Sequence, residues 1–399
     1  MEDLQLDLDH AENCTTTIPF DLIIEILSRL PAKSLIRFQS VSKLWFSTIR
    51  SRTFVDSFYT RSMTRPRFLF RFDHRESRRN FIFSAPQYEY CSDDDRYVFS
   101  AMARYDMTIS DPDNCTFRDS VQGFICFTSA VPKRFYDGTP LFNSITVYNP
   151  TTRQIVKLPD FTPNGRYVEA LLGYDPVEDQ YKVLCVMMLM MFGAPDESQD
   201  DIQQEHFVCT LSSSQKQEWR NIENPTGDSY TSVFFGQICI DGALYYGVGE
   251  SGIVKFDVRS EKVEYIKTPE ESYISGSYNS TLINYNGKLG GLERSCEGNL
   301  MTLWVLEDAE KQEWSSITYD LPYYWDATLG YGVTDGEIHG SHMVFCPPFS
   351  VFYYDFDMDC ISVVWIRGIK DGDLRVDGFG ELTGHTSCRP GHIENIRFL

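Results

Sequence analysis

The sequence predicts a multidomain α + all-β chain, with a small N-terminal helical module followed by a β-propeller. Three observations carry that expectation. The hydrophobic period changes from helical to alternating near residues 60–66, the charge balance changes in the same region, and tight glycine turns recur every 45–50 residues beyond it. The 399 residues hold 36 Lys and Arg against 57 Asp and Glu, a formal net charge of −21. Residues 1–80 contain 13 basic and 10 acidic side chains, whereas residues 81–399 contain 23 and 47. Acidity on this scale favours solubility and argues against general nucleic-acid binding.

Residues 1–17 are acidic and read as a disordered tail; they lack a basic stretch followed by an apolar one, so no secretory leader is expected. The richest apolar run, 181–193, is shorter than the ~20 residues a membrane helix needs. The 11 cysteines are scattered, mostly inside apolar runs, and no Cys-x-x-Cys pair occurs. They read as small buried hydrophobes rather than as metal ligands or redox pairs. A soluble protein of the nucleus and/or cytoplasm is the expectation.

Residues 18–62 read as helices. Pro19 suits a first helical turn, where a missing N–H is harmless, and Asp21 complements the helix N-terminus. Leu22, Ile23, Ile26, Leu27 and Leu30 then follow at three- and four-residue spacings, up to Pro31. A second helix aligns Leu35, Phe38 and Val41. A third aligns Leu44, Trp45, Thr48 and Ile49 behind Ser42 as N-cap. Ile24, Ile36 and Phe46 fall off these stripes, and about forty residues are too few for a self-sufficient core. Such a module either docks on the rest of its chain or completes its packing with a partner.

The string IPFDLIIEILSRLPAKSLIRFQSVSKLWFSTI resembles an F-box throughout, with Ile18 where Leu is commoner and Ser42 where Cys is usual. The resemblance implies binding to a Skp-type adaptor, and through it to cullin and RING subunits. It marks Ile18, Pro19, Leu22, Ile26, Leu27, Leu30, Pro31, Leu35, Val41 and Trp45 as shared between adaptor contact and internal packing. Leu22, Ile26 and Leu30 lie four apart on one ridge.

Beyond residue 66, short alternating runs bounded by Gly, Asn, Asp and Pro read as strands. Asp241-Gly242 and Asn286-Gly287 are hairpin signals, because such two-residue turns need positive φ, and Asp335-Gly336 is a third. Gly123 and Gly173 extend the spacing as strand-end markers. A second set of polar turns, in VYNPTTRQ, KFDVRSEK, WVLEDAEKQEW and YYDFDMDC, alternates with them. One four-stranded sheet per repeat, six or seven times, makes a propeller; a β-sandwich is the competing fold. The runs QGFICF, VYNPTTRQIVKLP, LGYDPVEDQYKVL, INYNGKLGGLE and VLEDAEKQEW resemble the plant F-box-associated domain, which is kelch-like. The propeller is assigned to 63–375; residues 376–399 match nothing.

Phosphate-loop, nucleophile-elbow and zincin motifs are missing from the sequence, and no cofactor or metal is expected. His339 and His342 sit in a strand-like context without a nearby acidic or Cys ligand, and DFDMDC lacks the Gly and Glu of a calcium loop. Seven arginines between Arg61 and Arg79 are read as intramolecular partners at the module boundary. Aromatics in the longer connections, Tyr136, Tyr230, Tyr273, Tyr278, Tyr323, Tyr324 and Trp325, are candidate anchors for a target protein. Two functions compete: a non-catalytic substrate receptor of an SCF-type ubiquitin ligase, or a stand-alone kelch-like scaffold or enzyme capped by the helices.

Overall fold

The computed structural model describes residues 19–74, 79–87, 99–110, 115–117, 120–131, 142–160, 167–188, 205–211, 216–222, 236–248, 252–275, 280–295, 300–320, 342–345, 350–355, 360–367 and 386–399. Four helices come first: α1 (Phe20–Ser28), α2 (Ala32–Phe38), α3 (Lys43–Arg50) and α4 (Arg52–Met63). The fourth adds to the three expected. Ser51 caps it by accepting from Phe54 N at 3.4 Å, and it buries Phe54, Val55 and Phe58 at helical spacing. Ser42 caps α3 as its position suggests, accepting from Trp45 N at 3.1 Å.

The strands form six four-stranded sheets among the described residues. Blade 3 shows the plain pattern, an antiparallel meander of Tyr167–Asp175, Gln180–Met188, His206–Leu211 and Arg220–Ile222. Blade 2 runs from Cys115–Phe117 to Gln154–Lys157, blade 4 from Gln237–Ile240 to Val263–Ile266, and blade 5 from Ser280–Tyr285 to Glu313–Asp320, each in chain order.

The ring is closed by two exchanges. Thr386–His392 enters blade 1 as its first strand, beside Arg67–His74, Arg79–Pro86 and Arg104–Ser110. In return Phe99–Met102, from the connection inside blade 1, supplies the last strand of blade 6 after His342–Phe345, Ser350–Asp355 and Cys360–Arg367. That last pairing is parallel, whereas the other strand pairs are antiparallel. The strand at 386–392 lies in the segment that matched nothing by sequence.

Hydrophobic layers lie between consecutive blades all round the ring. Phe68, Phe70 and Phe72 face Val351, Tyr353 and Val364 of blade 6, while Leu69, one residue out of step, faces Ile125 and Phe127 of blade 2. Further layers join blades 2 and 3, 3 and 4, 4 and 5, and 5 and 6. Because both faces of a blade are covered, Arg79–Pro86 is buried at six successive positions. A sandwich of two sheets has no such arrangement.

Two of the three hairpin signals fall where the sequence puts them. Asp241 and Gly242 have φ of 43° and 81°, and Asn286 and Gly287 have 51° and 84°. In the polar turns a leading carboxylate or amide binds the backbone ahead of it. Asn149 Oδ1 accepts from Thr151 N at 2.9 Å, Asp257 Oδ1 from Ser260 N at 2.6 Å, and Asp308 Oδ1 from Glu310 N at 3.0 Å. Each ends in a residue with positive φ, namely Arg153, Glu261 and Gln312. Gly173 differs from expectation: it lies inside the strand Tyr167–Asp175 rather than at its end. A Cβ there would stand 2.7 Å from Val258 Cγ2, so this glycine lets blades 3 and 4 approach. Asp335-Gly336, the acidic stretch 195–204 and most of DFDMDC lie outside the described residues.

Candidate interaction surfaces

The helical module divides its apolar residues between two jobs. Leu27 and Leu35 are fully buried with Ile49, Phe54, Val55, Phe58 and Ile396, and Leu30 and Trp45 pack half-buried against them. Phe38 and Trp45 meet edge to face, with centroids 5.2 Å apart. Leu22, Ile26 and Val41 point outward, with 50%, 48% and 58% of their surface exposed. Pro19 and Pro31 are exposed beside them, and Ile18 lies outside the described residues. The ridge of Leu22, Ile26 and Leu30 therefore turns its first two members to solvent.

Phe20, Ile24, Leu44 and Phe46 are also exposed on the module, and the Arg50 guanidinium lies 4.7 Å from the Phe46 ring centroid. Sequence reasoning did not include these four in the candidate set. The signal was present for Ile24 and Phe46, which fit no buried stripe. Seven large apolar side chains exposed on one module of about 45 residues exceed the scattered exposure that soluble proteins ordinarily tolerate.

The module is fastened to the propeller by residues 393–399. Ile396 enters the helical core, and the Arg50 guanidinium lies 4.0 Å from the Phe398 ring centroid. Asn149 Nδ2 donates to the Asn395 and Arg397 carbonyls at 2.9 and 3.0 Å, and Gln154 and Leu399 exchange two hydrogen bonds. Arg397 pairs with Asp179 of blade 3 and, at 3.2 Å, with Asp56 of α4, and Arg52 also reaches Asp179 at 3.2 Å. Burial alone pushes the Asp179 carboxyl up, but hydrogen bonds from Arg397 and Tyr174, with the charges of Arg397 and Arg52, hold it below the usual range.

Three of the seven arginines from Arg61 to Arg79 donate hydrogen bonds within the chain. Arg61 donates to the Ser28 carbonyl and hydroxyl, Arg67 to Ser84 Oγ at 3.0 Å, and Arg71 to Asn80 Oδ1 at 2.8 Å. These acceptors are neutral, and the Arg67 charge also acts on the Asp106 and Glu394 carboxyls. Arg75 and Arg78 lie outside the described residues.

Of the seven aromatic candidates, only Tyr273 is described. It is 66% exposed on the connection from blade 4 to blade 5. Its backbone is fixed: its N–H donates to Glu293 Oε2 at 3.1 Å, its carbonyl accepts from Ser280 Oγ at 3.0 Å, and buried Ile274 packs on Gly291. The helical module sits at the ends marked by the Asp175–Gln180 and Asn149–Gln154 turns, and strand direction puts Tyr273 on the other rim. Tyr136, Tyr230, Tyr278, Tyr323, Tyr324 and Trp325 lie outside the described residues; the described strands flanking them end at that same rim.

Nothing at either surface assembles acid–base or nucleophilic chemistry among the described residues. No cluster of metal-ligating side chains occurs there, His342 opens a strand and His339 is not described. Burial pushes the Cys185 thiol well above its ordinary value, as suits a packing residue.

A helical module with exposed apolar side chains, fixed to a six-bladed propeller, defines the two-module architecture of this chain. The family models agree: an F-box domain matches residues 16–56, and an F-box associated beta propeller domain matches residues 67–388. The chain belongs to the F-box proteins that carry this propeller. F-box protein At1g30790 of Arabidopsis thaliana is 36% identical over 96% of this chain and 98% of its own length. F-box protein At3g61340, from the same plant, is 35% identical over 90% of each. Among solved structures, apo AztD from Citrobacter koseri aligns with a TM-score of 0.35 and 11% identity over 82% of this chain and 98% of that one, too distant to bear on function.

Proposed function

We propose that this chain is the substrate-recognition subunit of an SCF-type ubiquitin ligase. Its F-box module binds a Skp-type adaptor, which connects it to cullin and RING subunits, and its propeller holds a target protein for ubiquitination. The observation that supports this reading is the outward exposure of Leu22, Ile26 and Val41, with Phe20 and Leu44 exposed on the same module. Apolar surface of this kind gains stability by leaving water, at about 25 cal/mol per Å², and the described residues leave it uncovered.

In this reading the protein is not catalytic, and works in the nucleus and/or cytoplasm. Ubiquitin transfer belongs to the conjugating enzyme recruited by the RING subunit. The target docks on the rim that carries Tyr273, away from the helices, so adaptor and target bind opposite ends of one rigid ring. Co-expression with a Skp-type adaptor tests the first half. A stable one-to-one complex supports the receptor; a chain that purifies alone supports the scaffold reading. Alanine at Tyr273, or at Tyr323, Tyr324 and Trp325 together, tests the second half through target capture by a folded variant.

A further inference from the structure

We propose that the cleft between α2 and blades 1 and 2 binds a small phosphate-bearing anion that bridges the helical module and the propeller. The cleft has a volume of about 240 Å³, and cations from both modules line it: Lys33 and Arg37 from α2, Arg104 from blade 1 and Arg153 from the polar turn of blade 2.

These cations differ in what already neutralises them. Arg104 is held at 2.7 Å by Asp106 and at 2.7 Å by Glu394, so its charge is met within the propeller. Asp106, the one carboxylate of the lining, is buried beneath it. Lys33, Arg37 and Arg153 form no ion pair with any described residue, and Arg153 only approaches the Tyr105 ring, 5.6 Å from its centroid. In a chain of net charge −21, three unpaired cations directed at one cleft stand against the general charge balance.

The chemistry selects the ligand. Three uncompensated positive charges favour an anion of at least two charges, which one carboxylate does not supply. The planar fork of arginine fits phosphate oxygens by paired N–H donation, and lysine adds a point charge. The Thr151 and Thr152 amides are already turned to Asn149 Oδ1, so side chains rather than a backbone nest would do the binding. A ligand held from both sides would also stiffen the angle between the adaptor-binding and target-binding ends.

The test is a calorimetric titration of the purified full chain with inorganic pyrophosphate at constant ionic strength. A hexose bisphosphate serves as the esterified probe, and sulfate as a control for charge alone. Saturable one-to-one binding is expected for at least one phosphate probe, and the tighter probe shows whether the anion is free or esterified. Arg37→Ala, at an exposed helix position, and Arg153→Ala should each weaken it by about tenfold, as loss of a charge-assisted hydrogen bond does. Arg153→Lys should recover part of the loss, which keeps the test valid if Arg153→Ala folds poorly. Absence of saturation at millimolar probe, an equal response to sulfate, or unchanged binding by Arg37→Ala together with Arg153→Lys would overturn the proposal.

Discussion

Arg397 and Asp179 form an ion pair across 218 residues of sequence, and the same guanidinium reaches Asp56 of α4 at 3.2 Å. One side chain near residue 399 therefore ties a blade 3 turn to the last helix of the F-box module. Around it, Ile396 completes the helical core, Phe398 meets Arg50 and Asn395 packs against Gly123. The strand before this segment, Thr386–His392, closes the propeller ring. Closure of the ring and attachment of the helices thus depend on one continuous stretch.

Arg397→Ala should destabilise the chain by about 1.5–3 kcal/mol, the range for hydrogen bonds to charged groups. The effect depends on pH. The Asp179 carboxyl is held below its unfolded value, so its contribution is fully present above that value, about 3.9, and is lost as pH falls through the folded value. Denaturant unfolding should show a clear gap between wild type and variant near neutrality, shrinking as pH falls below about 3.9. A gap of constant size would remove the ion pair from the explanation.

Two glycines with the same φ should respond differently to alanine. Gly123 has φ of 83°, and a Cβ there would stand 2.6 Å from both Asn395 Cβ and the Ile393 carbonyl oxygen. Gly287 has φ of 84° with nothing within 4 Å. Gly287→Ala should cost about 1 kcal/mol from the backbone alone, whereas Gly123→Ala should cost more and loosen residues 393–399. Thermal melts with limited proteolysis of both variants check this.

Leu35→Ala should cost about 2–5 kcal/mol, because Leu35 is fully buried in the helical core. Leu22→Ala should cost less than about 0.5 kcal/mol in the isolated chain, since half of Leu22 is already in water. Chemical denaturation of the two single variants separates internal packing from outward contact.

Tyr273→Ala should leave the melting temperature unchanged, because the ring is exposed and the loop is held by backbone contacts and Ile274. Reduced target capture by this stable variant would assign Tyr273 to the docking rim. A fall in stability would assign it to covering blade 5.

Much of the fold was legible because local chemistry and global architecture agree in it. The Asp241-Gly242 and Asn286-Gly287 turns need positive φ, and their spacing counts blades. The helical stripes placed the apolar positions of the F-box module, but the burial of Leu27 and Leu35 was read only from the structure. The ring closures were illegible, since Phe99–Met102 and Thr386–His392 are short strands whose partners lie more than 250 residues away. Gly173 was misleading because a glycine that allows close packing looks, in sequence, like one that ends a strand. At the candidate site, periodicity grouped Leu22 with Leu27 but could not separate them. That separation depends on Ile396, which enters the helical core from the far end of the chain.

The decisive measurement is the mass of the complex formed when the full chain is co-expressed with a Skp-type adaptor, read by light scattering after size exclusion. Wild type should give a one-to-one complex. The Leu22→Asp, Ile26→Asp double variant should purify without adaptor while its propeller keeps the wild-type unfolding transition, because both residues are half-exposed and dispensable for folding. A wild-type chain that elutes alone, or a double variant that retains the adaptor, would show that this apolar face is not where the F-box docks.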